Sequence, residues 1–202
     1  MEISINTHSS IKINSDKVLY FDPFKIEKET HDADIIFITH DHYDHFSIED
    51  IKKIEKEDTV FVIPECMYNL LGGENVVVIK PKEKLVVEGY EVYAVPSYNA
   101  EKQFHTKDKG YVGYLVTIEG KVVYVAGDCD TNEDNLKLKC DIALVPVGGK
   151  YTMDYKEAAD WVNRVKPEIA IPTHYGDIVG NADDGNKFAE LVDKDIEVQI
   201  VI

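Results

Sequence analysis

The segment Thr39-His40-Asp41-His42-Tyr43-Asp44-His45 packs three imidazoles and two carboxylates into seven residues, in a chain with seven histidines in all. Neutral imidazole and carboxylate are both lone-pair donors, and both suit zinc and similar divalent ions. His40 and His42 stand two apart, so in an extended segment they face the same way. Asp44 and His45 follow where the chain turns and can face a second point nearby. Metal binding, with water activated by the bound ion, is the chemistry this spacing offers. The bland alternative is a polar loop with chance histidines, and so dense a cluster speaks against it.

Such a cluster needs a scaffold. The apolar, β-branched and aromatic run Ile35-Ile36-Phe37-Ile38 precedes it and reads as a short buried strand. Ser47, followed three residues later by Asp50, reads as a helix N-cap with an acidic first turn. The cluster is thus expected on a strand-to-helix loop, a usual place for chemistry.

His-x-His-x-Asp-His after a buried strand resembles the metal-binding motif of the metallo-β-lactamase superfamily. Gly127-Asp128-Cys129-Asp130 and Pro172-Thr173-His174-Tyr175 resemble that family's later ligand segments, in order and spacing. The chain looks most like the compact hydrolases related to L-ascorbate-6-phosphate lactonase. The resemblance implies a four-layer αββα sandwich of the α/β class, one domain over residues 1–202, with the ligands at one edge between two sheets. It implies one ion at His40, His42 and His105, another at Asp44, His45 and His174, and Asp128 shared. Two zinc ions per chain are expected, with manganese or iron as alternatives, since these ligands accept all three.

The third ligand of the first ion is the least direct of these assignments. Relatives often carry a histidine just after the strand read at Tyr90–Val95, where this chain has Tyr98-Asn99. Either His105 reaches back on its loop, or the position is filled otherwise; the expectation is His105. His8 resembles an N-terminal histidine near the site mouth, where it would touch substrate. Asp22, before Pro23, is either a turn residue or the acceptor for a ligand histidine's other N–H. Asp44 could orient the nucleophile, and Tyr98, Asn99 or Tyr151 could donate to a developing oxyanion.

At 202 residues the chain can bury a large core. No apolar run approaches the ~18 residues that span a membrane, and Met1-Glu2-Ile3-Ser4 does not open a secretory signal. Cys66, Cys129 and Cys140 are odd in number and widely spaced, so neither a disulfide framework nor a zinc ribbon is expected. Free thiols point to a reducing cytoplasm, and Cys129 beside Asp128 is read as structural. The net charge, 22 minus 38 or −16, repels phosphate backbones at long range and weighs against nucleic acid as partner.

The remaining elements follow from periodicity. Strands are expected at Glu2–Asn6, Ser10–Asn14, Lys17–Phe21, Thr59–Ile63, Val76–Ile79, Leu85–Val87 and Tyr90–Val95. Gly110–Ile118, Lys121–Ala126, Asp141–Val147, Glu168–Ile171 and Ile196–Ile202 complete the set. Helices are expected over Ser47–Glu57, Pro64–Leu71, from Thr152 or Asp154 to Val165, and within Asn181–Asp193. Gly148-Gly149 is either an ordinary turn or a close backbone approach to a ligand. A weak duplication shows, each half ending in strands that deliver histidine or aspartate to one edge. The expected function is metal-dependent hydrolysis of a small ester, lactone or phosphorylated metabolite by a metal-activated hydroxide. The alternatives are a phosphodiesterase or nuclease using the same two ions, and a metal-bound regulatory protein without turnover.

Overall fold

Alternation along the strands sorts their apolar side chains onto two faces. The computed structural model describes residues 1–202. Its first sheet runs β1 (Glu2–Thr7), β2 (Ser10–Asn14), β3 (Val18–Phe21), β4 (Ile35–Phe37), β5 (Val60–Pro64) and β6 (Val76–Ile79), in sequence order. The second holds β7 (Lys84–Val87), β8 (Tyr90–Pro96), β9 (Val112–Ile118), β10 (Lys121–Val125), β11 (Ile142–Pro146), β12 (Ile169–Thr173) and β13 (Glu197–Val198), also in order. Each sheet opens with antiparallel strands and closes with parallel ones, the change coming at β3 and at β10. The duplication read from the sequence is therefore a topological one.

Ile11, Ile13, Leu19, Phe21, Ile35 and Phe37 of the first sheet pack against Val92, Tyr114, Val116, Val123 and Leu144 of the second, forming the core between them. The alternate residues face outward. Ile36, Ile38 and Ile63 receive Ile51 and Ile54 of α1 (Ile48–Ile54). Tyr124, Ala143, Val145 and Ala170 receive Trp161 and Val162 of α2 (Tyr155–Val165) and Phe188 of α3 (Asp184–Leu191). The result is the four-layer αββα sandwich. No helix is long and apolar enough to cross a membrane.

Three elements depart from expectation. α1 is shorter than Ser47–Glu57, though Ser47 caps it and accepts from Asp50 N. Pro64 pairs in β5, and the helix expected over Pro64–Leu71 shrinks to one 3₁₀ turn at Glu65–Met67. Only Met67 of that turn is buried while Tyr68 and Leu70 stay exposed, so no apolar stripe exists to hold a longer helix. The closing strand keeps two residues. The carbonyls of Glu168 and Ala170 accept from Glu197 N and Gln199 N, so the nitrogen of Pro172 faces the same side and has no hydrogen to donate.

Parallel strands end on one side, and their C-terminal ends collect side chains at that edge. β3 ends at Asp22, β4 at the His40–His45 loop, β10 at Asp128, β11 at Gly148 and β12 at His174. The two edges are tied across the core: Val112 N donates to Thr39 O at 3.2 Å and His174 N to His8 O at 2.9 Å.

Candidate metal centre

Asp128, 3% exposed, stands in the middle of the edge. Its Oδ1 lies 3.2 Å from His45 Nε2 and 3.1 Å from His174 Nε2. Its Oδ2 lies 3.4 Å from His105 Nε2 and 4.0 Å from His40 Nε2. His42 Nδ1 is 3.1 Å from both His40 Nε2 and His105 Nε2. On the other side, Asp44 Oδ2 is 3.9 Å from His45 Nε2 and from His174 Nε2, and 3.2 Å from His8 Nε2. Two groups of four result, His40–His42–His105–Asp128 and His8–Asp44–His45–His174, and Asp22–His40–His45 form a third behind them, each with ligand atoms within 4.8 Å of one another.

These spacings suit a divalent cation. Ligand atoms about 2.0–2.1 Å from a tetrahedral ion stand roughly 3.3 Å apart. His45 Nε2, His174 Nε2 and Asp128 Oδ1 are buried and have no hydrogen-bond partner, although they converge. Unpaired acceptors so close repel one another unless a proton or metal lies among them. In the metal-free chain a proton answers: burial would depress the His45 pKa, but the Asp128 and Asp22 carboxylates outweigh it and drive it well above the ordinary histidine value. Burial would likewise raise Asp128, but His174 and His45 hold it well below the carboxylate range. Burial keeps His40 neutral, with a pKa well below 6.5, and lowers His105 to about 4. Both therefore present lone pairs at neutral pH, as metal binding requires.

Part of the chain's backbone strain lies here. His8, Asp22, His105 and His174 all adopt left-handed φ, at 54°, 46°, 55° and 58°. Each costs about 1–3 kcal/mol and persists only where the surroundings over-determine it, typically at functional sites.

Of the residues singled out from the sequence, His40, His42, Asp44, His45, His105, Asp128 and His174 come together, with Asp22 directly behind them. His105 reaches back through a loop pinned by Asn99 N to His105 O at 2.8 Å. Three expectations need correction. His8 is fully buried, bonded to Asp44 and stacked on His174 with ring centroids 3.7 Å apart, so it supports the cluster and does not face the cleft. Tyr98 turns away, its hydroxyl donating to Asp134 at 3.3 Å and accepting from Lys107 at 3.3 Å. The Asn99 amide is spent on the carbonyls of Phe104 (3.0 Å) and Tyr151 (2.6 Å), so it offers no hydrogen to an oxyanion. Tyr151 does line the cleft. Cys129 is fully buried with its thiol pushed up to about 12 by desolvation, which leaves it inert.

The cleft over the cluster measures about 440 Å³ and is walled by Tyr43, Phe104, Tyr151 and Ile178, with Lys150 on its rim. Thr39 was passed over in the sequence: its hydroxyl lies 2.6 Å from Asp22 Oδ2 and 2.9 Å from His40 Nδ1. Its place, one residue before the first histidine, was the available signal. Gly148 approaches a backbone, not a ligand, for a Cβ there would lie 2.1 Å from His174 O.

Residues 2–174 match the family model described as the beta-lactamase superfamily domain. A UPF0173 metal-dependent hydrolase of Lysinibacillus sphaericus is 30% identical, the match covering 100% of this chain and 96% of the relative. The crystal structure of a protein assigned as a metal-dependent hydrolase from Parabacteroides distasonis is 31% identical and superposes with a TM-score of 0.84, over 98% of this chain and 91% of that one. Igni18, a metallo hydrolase from the archaeon Ignicoccus hospitalis, shares the fold at 22% identity with a TM-score of 0.78, over 98% and 93% of the two chains. By these matches and by its two-sheet fold, the chain belongs to the metallo-β-lactamase branch of the beta-lactamase superfamily, among the UPF0173 metal-dependent hydrolases.

Proposed function

We propose that the cluster holds two divalent ions, zinc with manganese or iron as alternatives, and hydrolyses a small ester, lactone or phosphorylated metabolite. His40, His42, His105 and Asp128 Oδ2 would hold the first ion; Asp44, His45, His174 and Asp128 Oδ1 the second. The observation that carries this reading is the division of Asp128, one oxygen toward each histidine group. Bound there, such ions supply Lewis acidity and lower the pKa of coordinated water to about 7 for zinc.

The chain's own residues supply the rest. Asp22 accepts from His45 Nδ1 and so turns the Nε2 lone pair into the site. The Thr39 hydroxyl donates to Asp22, which leaves its oxygen to accept from His40 Nδ1; His40 Nε2 is then free as well. His8 holds Asp44 from behind. Phe104, Tyr43 and Tyr151 wall the cleft and offer apolar surface to a bound substrate. The three free thiols support a reducing compartment, and a cytoplasmic location is part of this proposal.

Metal analysis after zinc loading tests the reading. About two ions per chain are expected, with His174→Ala losing at least one. Aryl esters and lactones should be turned over. Loaded wild type that holds no ion overturns the metal assignment, and cleavage confined to bis-aryl phosphates or RNA overturns the substrate class.

A further inference from the structure

The cleft holds one lysine and no arginine. We propose that Lys150 is a specificity-determining residue, and that the substrate carries an anionic group, a carboxylate or phosphate, away from the bond that is cleaved. This rests on the hydrolytic reading above and narrows its substrate class.

Three acidic side chains line the same cleft, Asp41, Asp44 and Asp128. None forms an ion pair with Lys150. Asp44 and Asp128 belong to the metal cluster, and Asp41 accepts from the Tyr111 hydroxyl at 2.6 Å. Lysines on the facing loop are differently placed: Lys102 pairs with Asp130 and Lys107 with Glu133. Lys150 pairs with no carboxylate. In a chain of net charge −16 it is a positive point in a negative field, and an anionic group on the ligand is its complement.

The turn that presents it is built, not loose. Lys150 adopts φ +61°, a strained conformation for a residue with a side chain, directly after Gly149 at φ +70°. Tyr151 N donates to Gly149 O at 2.7 Å and Gly149 N to Met153 O at 3.0 Å. Asn99 ties Tyr151 O to the loop that carries His105. The Lys150 ammonium lies 4.8 Å from the Tyr151 ring centroid, and that ring meets Phe104 edge to face at 4.9 Å. An aromatic face under the ammonium keeps it at the cleft. An anion at Lys150, an apolar body against Phe104 and Tyr43, and a scissile group over Asp128 describe one small amphipathic acid.

The test compares zinc-loaded wild type, Lys150→Gln and Lys150→Arg on esters that share a leaving group: 4-nitrophenyl pentanoate, mono-4-nitrophenyl glutarate, and an analogue ending in phosphate. Wild type should favour one charged ester over the neutral one by about ten-fold in kcat/KM, the scale of one charge-assisted contact. Whether glutarate or phosphate gains more identifies the anion. The preference should collapse toward one in Lys150→Gln, through KM, and return in Lys150→Arg. A wild-type preference near one, or a preference that Lys150→Gln leaves intact, overturns the proposal. Calorimetric binding of glutarate and of phenyl phosphate to the same three proteins needs no turnover. Weaker binding in Lys150→Gln supports the proposal even if no ester is cleaved, in which case only the hydrolytic reading fails; equal binding in all three overturns it.

Discussion

Asp22 Oδ2 accepts from His45 Nδ1 at 2.7 Å, and the same oxygen accepts from the Thr39 hydroxyl at 2.6 Å. Through Thr39 the carboxylate also reaches His40 Nδ1, 2.9 Å from the hydroxyl. One buried carboxylate therefore orients a histidine from each group, directly on one side and by relay on the other. Asp22→Asn removes this acceptor pattern, because an amide nitrogen donates where His45 must also donate. Metal affinity should fall about 10–100-fold, the usual effect of losing a partner behind a ligand, when measured by competition with a chromophoric chelator. Thr39→Val should weaken the His40 site more than the His45 site. Equal loss at both would show that no relay exists.

The sequence disclosed the candidate ligands for a physical reason. Metal coordination needs particular side chains at short spacings, and His40 to His45 carry them within one loop. The sheets were legible because alternating burial writes a period of two into Ile11, Ile13, Leu19 and Phe21. His105 could only be inferred, since a loop's path is set by contacts such as Asn99 N to His105 O, which leave no periodic trace. Tyr98 and Asn99 misled because nearness in sequence to a site says nothing of which way a side chain points. The short α1 and the lost Pro64–Leu71 helix were boundary questions, decided by which apolar residues found a neighbour.

His8 grips the second group at three points. Its Nε2 lies 3.2 Å from Asp44 Oδ2, its ring stacks on His174, and its carbonyl accepts from His174 N. His8→Ala should leave a buried void and release Asp44. The ion between Asp44, His45 and His174 should then be held at least about ten-fold more weakly, while the ion at His40, His42 and His105 is kept. His8→Gln, which retains a donor, should restore part of the difference. Circular dichroism controls for folding, and unchanged two-site titration of His8→Ala would remove His8 from the site's support.

Chelator-treated protein should lose stability as pH falls from about 6.5 toward 4. Burial lowers His105 from 6.5 to about 4, and lowers His40 and His8 in the same direction. The unfolded chain takes up these protons below its own pKa and the fold resists them, so acid favours unfolding in that window. His45 runs oppositely: its raised pKa contributes stability that is present below 6.5 and lost as pH rises through the folded value. Asp44 and Asp128 have lowered pKa values, so their contribution is lost only below about 3.8. Thermal midpoints between pH 7 and 4.5 check this, and His105→Gln should flatten part of the fall. A midpoint that rises on acidification would show that the imidazoles are not held neutral.

Gly148 and Gly149 are adjacent, yet substituting them should have separable effects. A Cβ at Gly148 would lie 2.1 Å from His174 O and 3.0 Å from Val179 Cγ2. The oxygen is backbone and cannot rotate away, so the end of β12 must move and carry His174 with it. Gly148→Ala should cost about 1–3 kcal/mol, as overpacking does, and should also weaken the ion bound through His174. At Gly149 a Cβ would meet only Asp154, at 3.3 Å, and the burden is its φ of +70°. Gly149→Ala should cost about 1–2 kcal/mol for the left-handed backbone and leave zinc affinity near that of wild type. Denaturant melts and zinc titration of both variants distinguish the two. If Gly148→Ala lowers stability without touching the second ion, His174 is positioned by its own loop and not by the strand beside it.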